Sequence, residues 1–249
     1  MSAPGRDVGG TVALVPLRDG VSGKSRLASS LDPAARRRLV AALARHVVAV
    51  LLASDGVDRV LVVTADVPFA AETLGSRAHD GSSGSGRQSE LPVRTRTAAP
   101  SVEVIAQPPD RPGLNAALDV GREAALARGA GRLLVAHADL PLLAPDDVAA
   151  LLAAGTSATA DDAPPVVVAT DRHLAGTNLL VLPASVPFVF RFGEGSRAAH
   201  VGEAQRTGLR PVVVHRSGTA VDLDTVDDWG ELPRGVRDRL RHGLDLPLP

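Results

Sequence analysis

A chain of 249 residues with 45% hydrophobic and 22% charged residues can bury one large core, and its formal net charge of -1 provides no overall field for nucleic acid or anionic lipid. Cysteine is absent, which excludes disulfides, thiolate zinc sites and a cysteine nucleophile and agrees with a reducing, cytoplasmic setting. Aromatic residues make up 2%, too few for the stacking platforms that hold single-stranded nucleic acid. The start, Met1-Ser2-Ala3-Pro4-Gly5-Arg6-Asp7, lacks the apolar core of a signal peptide, and the longest apolar run, 47–53, is too short to span a bilayer.

The first strand is predicted at 11–16 and leads into a basic loop carrying Arg18, Lys24 and Arg26. Within it, Gly20-Val21-Ser22-Gly23-Lys24-Ser25 ends like a phosphate-binding P-loop, but Arg18 stands where that motif needs its first glycine, so the backbone cradle would be too short. What remains is a cationic loop after the first strand, where open α/β sheets bind nucleotides; the alternative is a solvated basic turn. A helix is predicted at 33–53, with Asp32-Pro33 as cap and first-turn proline and apolar residues recurring at helical spacing from Leu39 to Leu51. A strand follows at 59–64. Residues 79–101 then turn to Gly, Ser, Arg and Thr without apolar periodicity, which reads as a disordered surface insertion within one domain of residues 1–249.

Next come a strand at 102–105, a helix at 114–128, a strand at 132–137 and a helix at 145–154. The fourth strand runs into Ala138-Asp139-Leu140-Pro141 and so delivers one carboxylate to its C-terminal tip; the bland alternative for Asp139 is a turn or cap residue. His137, inside an apolar run, reads as a packed residue. Strands at 166–170 and 178–182 precede Phe190-Arg191-Phe192-Gly193-Glu194-Gly195-Ser196, whose glycines and serine open a helix at 197–205. Free amides there would suit an anion, and an ordinary N-cap is the alternative. After a strand at 210–215, Asp222-Leu223-Asp224 points two carboxylates to one side if extended, unless they simply form a solvated turn before a helix at 225–229. A short helix ends the chain within 232–249. Strands alternating with helices predict a single-domain α/β fold with a mainly parallel sheet flanked by helices. If Asp139, Asp222 and Asp224 converge, their all-oxygen character favours magnesium or manganese over zinc.

In order along the chain, Val15-Pro16-Leu17-Arg18 with Gly23-Lys24-Ser25-Arg26-Leu27-Ala28, Leu114-Asn115-Ala116-Ala117, Ala138-Asp139-Leu140-Pro141, Gly176-Thr177-Asn178, Arg191-Phe192-Gly193 with Gly195-Ser196, and Asp222-Leu223-Asp224-Thr225 resemble the guanylyltransferases of coenzyme F420 biosynthesis, called CofC in archaea and FbiD in actinobacteria. The resemblance runs through most of the chain. It implies a nucleotide-diphospho-sugar-transferase-like fold and transfer of GMP from GTP to phosphoenolpyruvate, with pyrophosphate released and magnesium as cofactor. It further implies phosphoenolpyruvate contacts at Thr177, Gly193 and Ser196, a metal site at Asp139, Asp222 and Asp224, triphosphate contacts from Arg18, Lys24 and Arg26, and catalytic roles for Asp139, Lys24 and Arg26. The product would pass to the next transferase of the pathway, with neither nucleic acid nor membrane as partner, and a homodimer is an open expectation. Here Arg18 replaces a lysine common in the family and Ala138 a glycine. The acceptors left open are 2-phospho-L-lactate and a molybdopterin, and a protein of another class, a GTP-binding regulator without catalysis, would share the fold.

Overall fold

A computed structural model of the chain describes residues 9–18, 24–75, 100–156, 163–246 and 248. The predicted insertion lies outside the described residues except for Pro100 and Ser101, as does the stretch 19–23 of the basic loop.

Among the described residues seven strands form one sheet in the order β3-β2-β1-β4-β6-β5-β7. They are β1 (Thr11–Pro16), β2 (Arg59–Thr64), β3 (Ser101–Ala106), β4 (Arg132–Ala136), β5 (Pro165–Thr170), β6 (Thr177–Pro183) and β7 (Arg210–Val214). All neighbours run parallel except β6, which pairs antiparallel with β4 and with β5. The mainly parallel sheet expected from strand–helix alternation is therefore present, with one reversal. Continuous Val- and Leu-rich runs suit strands covered on both faces. On β1 the pleat sends Ala13 and Val15 into one apolar cluster and Val12 and Leu14 into the other.

Helix α1 (Pro33–Ala53) covers the first face with α2 (Val67–Leu74) and α4 (Pro145–Ala154). It starts where Asp32 accepts the Ala35 N–H at 2.7 Å and proline occupies the first turn. It buries Leu39, Leu43, Val47 and Leu51, each burial contributing roughly 1.5–3 kcal/mol. The short α2 starts where Asp66 caps the Phe69 N–H at 3.0 Å and Pro68 stands in the first turn. Helix α3 (Leu114–Ala127) packs on the other face. At Gly121 an added Cβ would stand 2.9 Å from Val63 and 3.3 Å from Leu14, so only glycine lets this helix lie so close to β1 and β2. Helix α5 (Ser196–Arg206) joins it there, while α6 (Ser217–Ala220), α7 (Val226–Glu231) and α8 (Arg234–Leu244) complete the chain. A third cluster joins Leu27 and Leu31, after the basic loop, with Leu39 and Leu43 of α1 and with Leu223 and Trp229. Thus one apolar patch ties together the two segments that flank the carboxylates and the lysine described next.

Candidate active site

Asp139 lies three residues beyond β4, at the C-terminal edge where parallel strands present their ligands. Its carbonyl accepts the Leu223 N–H at 3.0 Å, and the Leu223 side chain is fully buried in the third cluster. That bond docks Asp222 and Asp224 beside Asp139 although more than eighty positions separate them in the chain. Asp224 is held in turn by Asp228, whose Oδ2 accepts the N–H groups of Asp224 and Thr225 at 3.0 and 2.7 Å.

Between these acids sits a lysine. Lys24 adopts a left-handed backbone, φ 58°, and its Nζ donates to Asp139 Oδ2 and to Asp224 Oδ1, both at 2.6 Å. Its side chain is 6% exposed, against 23% and 42% for the two carboxylates, so the ammonium is enclosed and the acids reach the cavity. Burial alone would lower the Lys24 pKa, yet Asp139 and then Asp224 outweigh it and raise it above the ordinary value. Burial would likewise raise Asp139, but Lys24 and then His137 hold it below the usual carboxylate range. Asp222 goes the other way: burial, followed by the charges of Asp139 and Asp224, pushes it up.

These groups line a cavity of about 500 Å³ together with Arg18, Arg26, Leu114, His137 and Gly193. A second cavity of about 450 Å³ shares Pro16, Leu17, Arg18 and Leu114 with it and extends over β1, β2 and β3, past Asp66, Gln107 and Gly113. The structure thus brings Arg18, Lys24, Arg26, Asp139, Asp222, Asp224 and Gly193 to one opening. Thr177 and Ser196 are brought to each other instead. Both are buried at 2% exposure, behind the lining, with the Thr177 N–H donating to Ser196 Oγ at 2.9 Å.

His200, fully buried, accepts the Arg191 N–H on Nε2 at 3.0 Å; its Nδ1 therefore carries the hydrogen and donates to Thr177 Oγ1, also at 3.0 Å. Burial, and then the charges of His137 and Arg191, lowers its pKa to about 4, which keeps the ring neutral. The amides expected to be free at the start of α5 are largely used: Ser196 N–H donates to Gly193 O and Arg197 N–H to Ala175 O, each at 3.1 Å. Gly193, with φ 132°, is the member of this group that faces the cavity, and its position is set by Asn115. The Asn115 amide accepts the Phe192 N–H at 2.8 Å and donates to the Phe192 carbonyl at 3.1 Å. Asn115 and His137 are site residues that periodicity and spacing did not single out.

Among the described residues no three His, Asp or Glu side chains are arranged to hold a metal ion, and the ammonium of Lys24 stands between two of the acids, Asp139 and Asp224. The donor set nonetheless fits a hard divalent cation. All three groups offer oxygen, and Asp139 Oδ1 is buried with no hydrogen-bond partner.

Residues 93–237 match the family model described as "Guanylyl transferase CofC like". The chain is 38% identical over 235 residues to the phosphoenolpyruvate guanylyltransferase of Rubrobacter xylanophilus, covering 92% of this chain and 97% of that one. It is 33% identical over 228 residues to the 3-phospho-D-glycerate guanylyltransferase of Phenylobacterium zucineum, covering 90% and 89%. In fold it is similar to a crystal structure from Desulfovibrio desulfuricans named for a nucleotide-diphospho-sugar transferase, with a TM-score of 0.65 at 15% identity over 95% and 96% of the two chains. By the family model and the identity to its relatives over most of the chain, the chain belongs to the CofC-like guanylyl transferase family.

Proposed function

We propose that this enzyme transfers GMP from GTP to phosphoenolpyruvate, forming enolpyruvoyl-diphospho-guanosine and pyrophosphate in coenzyme F420 biosynthesis. The observation that carries the reading is the enclosed ammonium of Lys24 between Asp139 and Asp224 at the mouth of a cavity that also presents Arg18 and Arg26. A phosphate oxygen of the acid attacks the α-phosphorus of GTP in line, the bond from that phosphorus to the bridging oxygen breaks, and pyrophosphate leaves with the electron pair. The nucleophile is an anion at neutral pH, so no general base is required. The chain's own task is to hold two repelling anions in line and to offset charge on the leaving group.

Arg18, Lys24 and Arg26 bind the triphosphate, and the second cavity receives the nucleoside. Gly193, held by Asn115, borders the acid, with Thr177 and Ser196 setting the shape of the wall behind it. Asp139, Asp222 and Asp224 are the residues that would hold magnesium, and the metal when bound would supply positive charge at the phosphates. The reading includes a single domain, a cytoplasmic enzyme and delivery of the product to the next transferase; among the described residues no helix is long and apolar enough to cross a membrane.

The test is incubation of the purified protein with GTP, magnesium and, separately, phosphoenolpyruvate, 2-phospho-L-lactate or 3-phospho-D-glycerate, followed by product mass and pyrophosphate measurement. The expected result is a GMP adduct of phosphoenolpyruvate. A preference for 3-phospho-D-glycerate, the acceptor named for one relative, would replace the acceptor assignment, and no pyrophosphate with any acid would overturn the reading.

A further inference from the structure

We infer that His137 is a substrate-binding residue whose Nε2–H donates a hydrogen bond to an oxyanion of the three-carbon phospho-acid, an inference that rests on the transfer reading above. His137 follows the last residue of β4 and lines the same cavity as Asp139, Asp222 and Gly193. Its backbone is fixed by the N–H bond to Asn178 O at 3.2 Å, and its ring packs on Phe192 with centroids 5.1 Å apart. The other face of the arrangement is closed too: Phe192 lies edge-on to His200 at 4.6 Å. The imidazole is thus placed by ring packing and a backbone bond that leave its buried Nε2 unused. Nε2 is shut off from bulk water and has no hydrogen-bond partner, an arrangement that costs free energy unless something else completes it.

Two positions along the chain, Asp139 Oδ1 is orphaned in the same way. One orphan is an acceptor that wants a cation, and the other, carrying its hydrogen, is a donor that wants an anion. A phosphorylated acid arriving with its counter-cation satisfies both at once, and a triphosphate held by Arg18, Lys24 and Arg26 does not need the imidazole. The neighbouring wall agrees, because Gly193, locked through Phe192 by Asn115, borders the same space. His137 therefore distinguishes the acid side of the cavity from the nucleotide side.

The experiment compares wild type with His137→Phe, which keeps a ring against Phe192 but has no donor, and with His137→Gln, which restores an N–H. With GTP saturating, His137→Phe is expected to raise KM for the acid by about 10- to 100-fold, while KM for GTP changes by less than about twofold, and His137→Gln is expected to recover part of the loss. An unchanged KM for the acid, or equal rises for both substrates, overturns the assignment. Binding is read separately: in ¹⁵N-histidine-labelled wild type with magnesium, phosphoenolpyruvate must move the His137 Nε2 resonance, and no movement also overturns it. Inorganic phosphate and pyruvate, titrated singly, tell whether the phosphate or the carboxylate is the oxyanion held. If the wild type transfers GMP to none of the acids, the reaction assignment falls and the resonance shift alone decides the imidazole's role.

Discussion

On one side of the cavity Lys24, Asp139 and Asp224 meet through two charged contacts of 2.6 Å, and a carboxylate oxygen among them is still unpartnered. On the other, Thr177, Ser196 and His200 are fully buried and joined by neutral hydrogen bonds of 2.9 and 3.0 Å, each satisfied within the protein. On the proposed reading the first cluster, with its unpartnered carboxylate oxygen, exchanges partners with a ligand, and the second, whose hydrogen bonds lie within the protein, shapes the wall. A family resemblance points at both sets alike, and only geometry separates the residues that line the cavity from those buried behind it.

The sharpest way to break the contrast is Asp139→Asn, which should lower kcat for pyrophosphate release by about 10²–10³-fold while circular dichroism stays that of the wild type. Activity within a few-fold of normal would remove Asp139 from the reacting centre. Lys24→Met should come next, lowering kcat/KM for GTP by about 100-fold and also lowering Tm at neutral pH, since Asp139 and Asp224 would then face each other without their cation. A Tm equal to wild type would show that the ammonium is not needed to keep the two acids together.

The neutral cluster predicts an effect on stability rather than on turnover. The folded-state pKa of His200, about 4, lies below its unfolded value of 6.5, so on acidification the unfolded chain takes up the proton first. Its contribution is complete above pH 6.5 and is lost between pH 6.5 and about 4, on the order of 3 kcal/mol across that window. Chemical denaturation at a series of pH values should show that decline in wild type, and His200→Phe should be flatter there though less stable at pH 7; parallel curves would contradict the origin given. The smallest effect belongs to Thr177→Val, which leaves the His200 Nδ1–H without its acceptor and should cost about 1–2 kcal/mol in stability, with KM for the acid raised only a few-fold and kcat nearly unchanged. A loss of kcat comparable to that of Asp139→Asn would move Thr177 from the wall to the reacting centre.

Much of the fold was legible because β-branched runs declare buried strands and Asp32-Pro33 declares the start of α1, whose bounds fall where expected. Helix α2, with 8 residues and a single capping aspartate, is too short for apolar periodicity to emerge, and the 4-residue α6 has no capping side chain at all. The reversal of β6 was not read, although a signal existed: residues 171–176 between β5 and β6 are too few for the crossover that parallel neighbours need. In the site, each aspartate was visible as an acid after an apolar run. That Lys24 would stand between two of them was not, because the meeting depends on the Leu223–Asp139 bond and on Leu27 and Leu223 sharing one cluster. His137 was hidden by its apolar neighbours, which mark it as core until β4 is seen to stop one residue earlier.

The lone reversed strand has a consequence for how such a molecule can diversify. Because β6 runs against β4, its opening residues lie beside the closing residues of its neighbour, and Ala136 pairs with Leu179 immediately below the cavity. On the proposed reading the wall behind the acid runs from the β5–β6 connection through α5 and is pinned from outside by Asn115 and His137, while the nucleotide's half rests on β1, β2 and β3. Substitutions within 171–206 that alter acceptor preference must therefore stay compatible with Asn115 and His137, which belong to the other part of the chain.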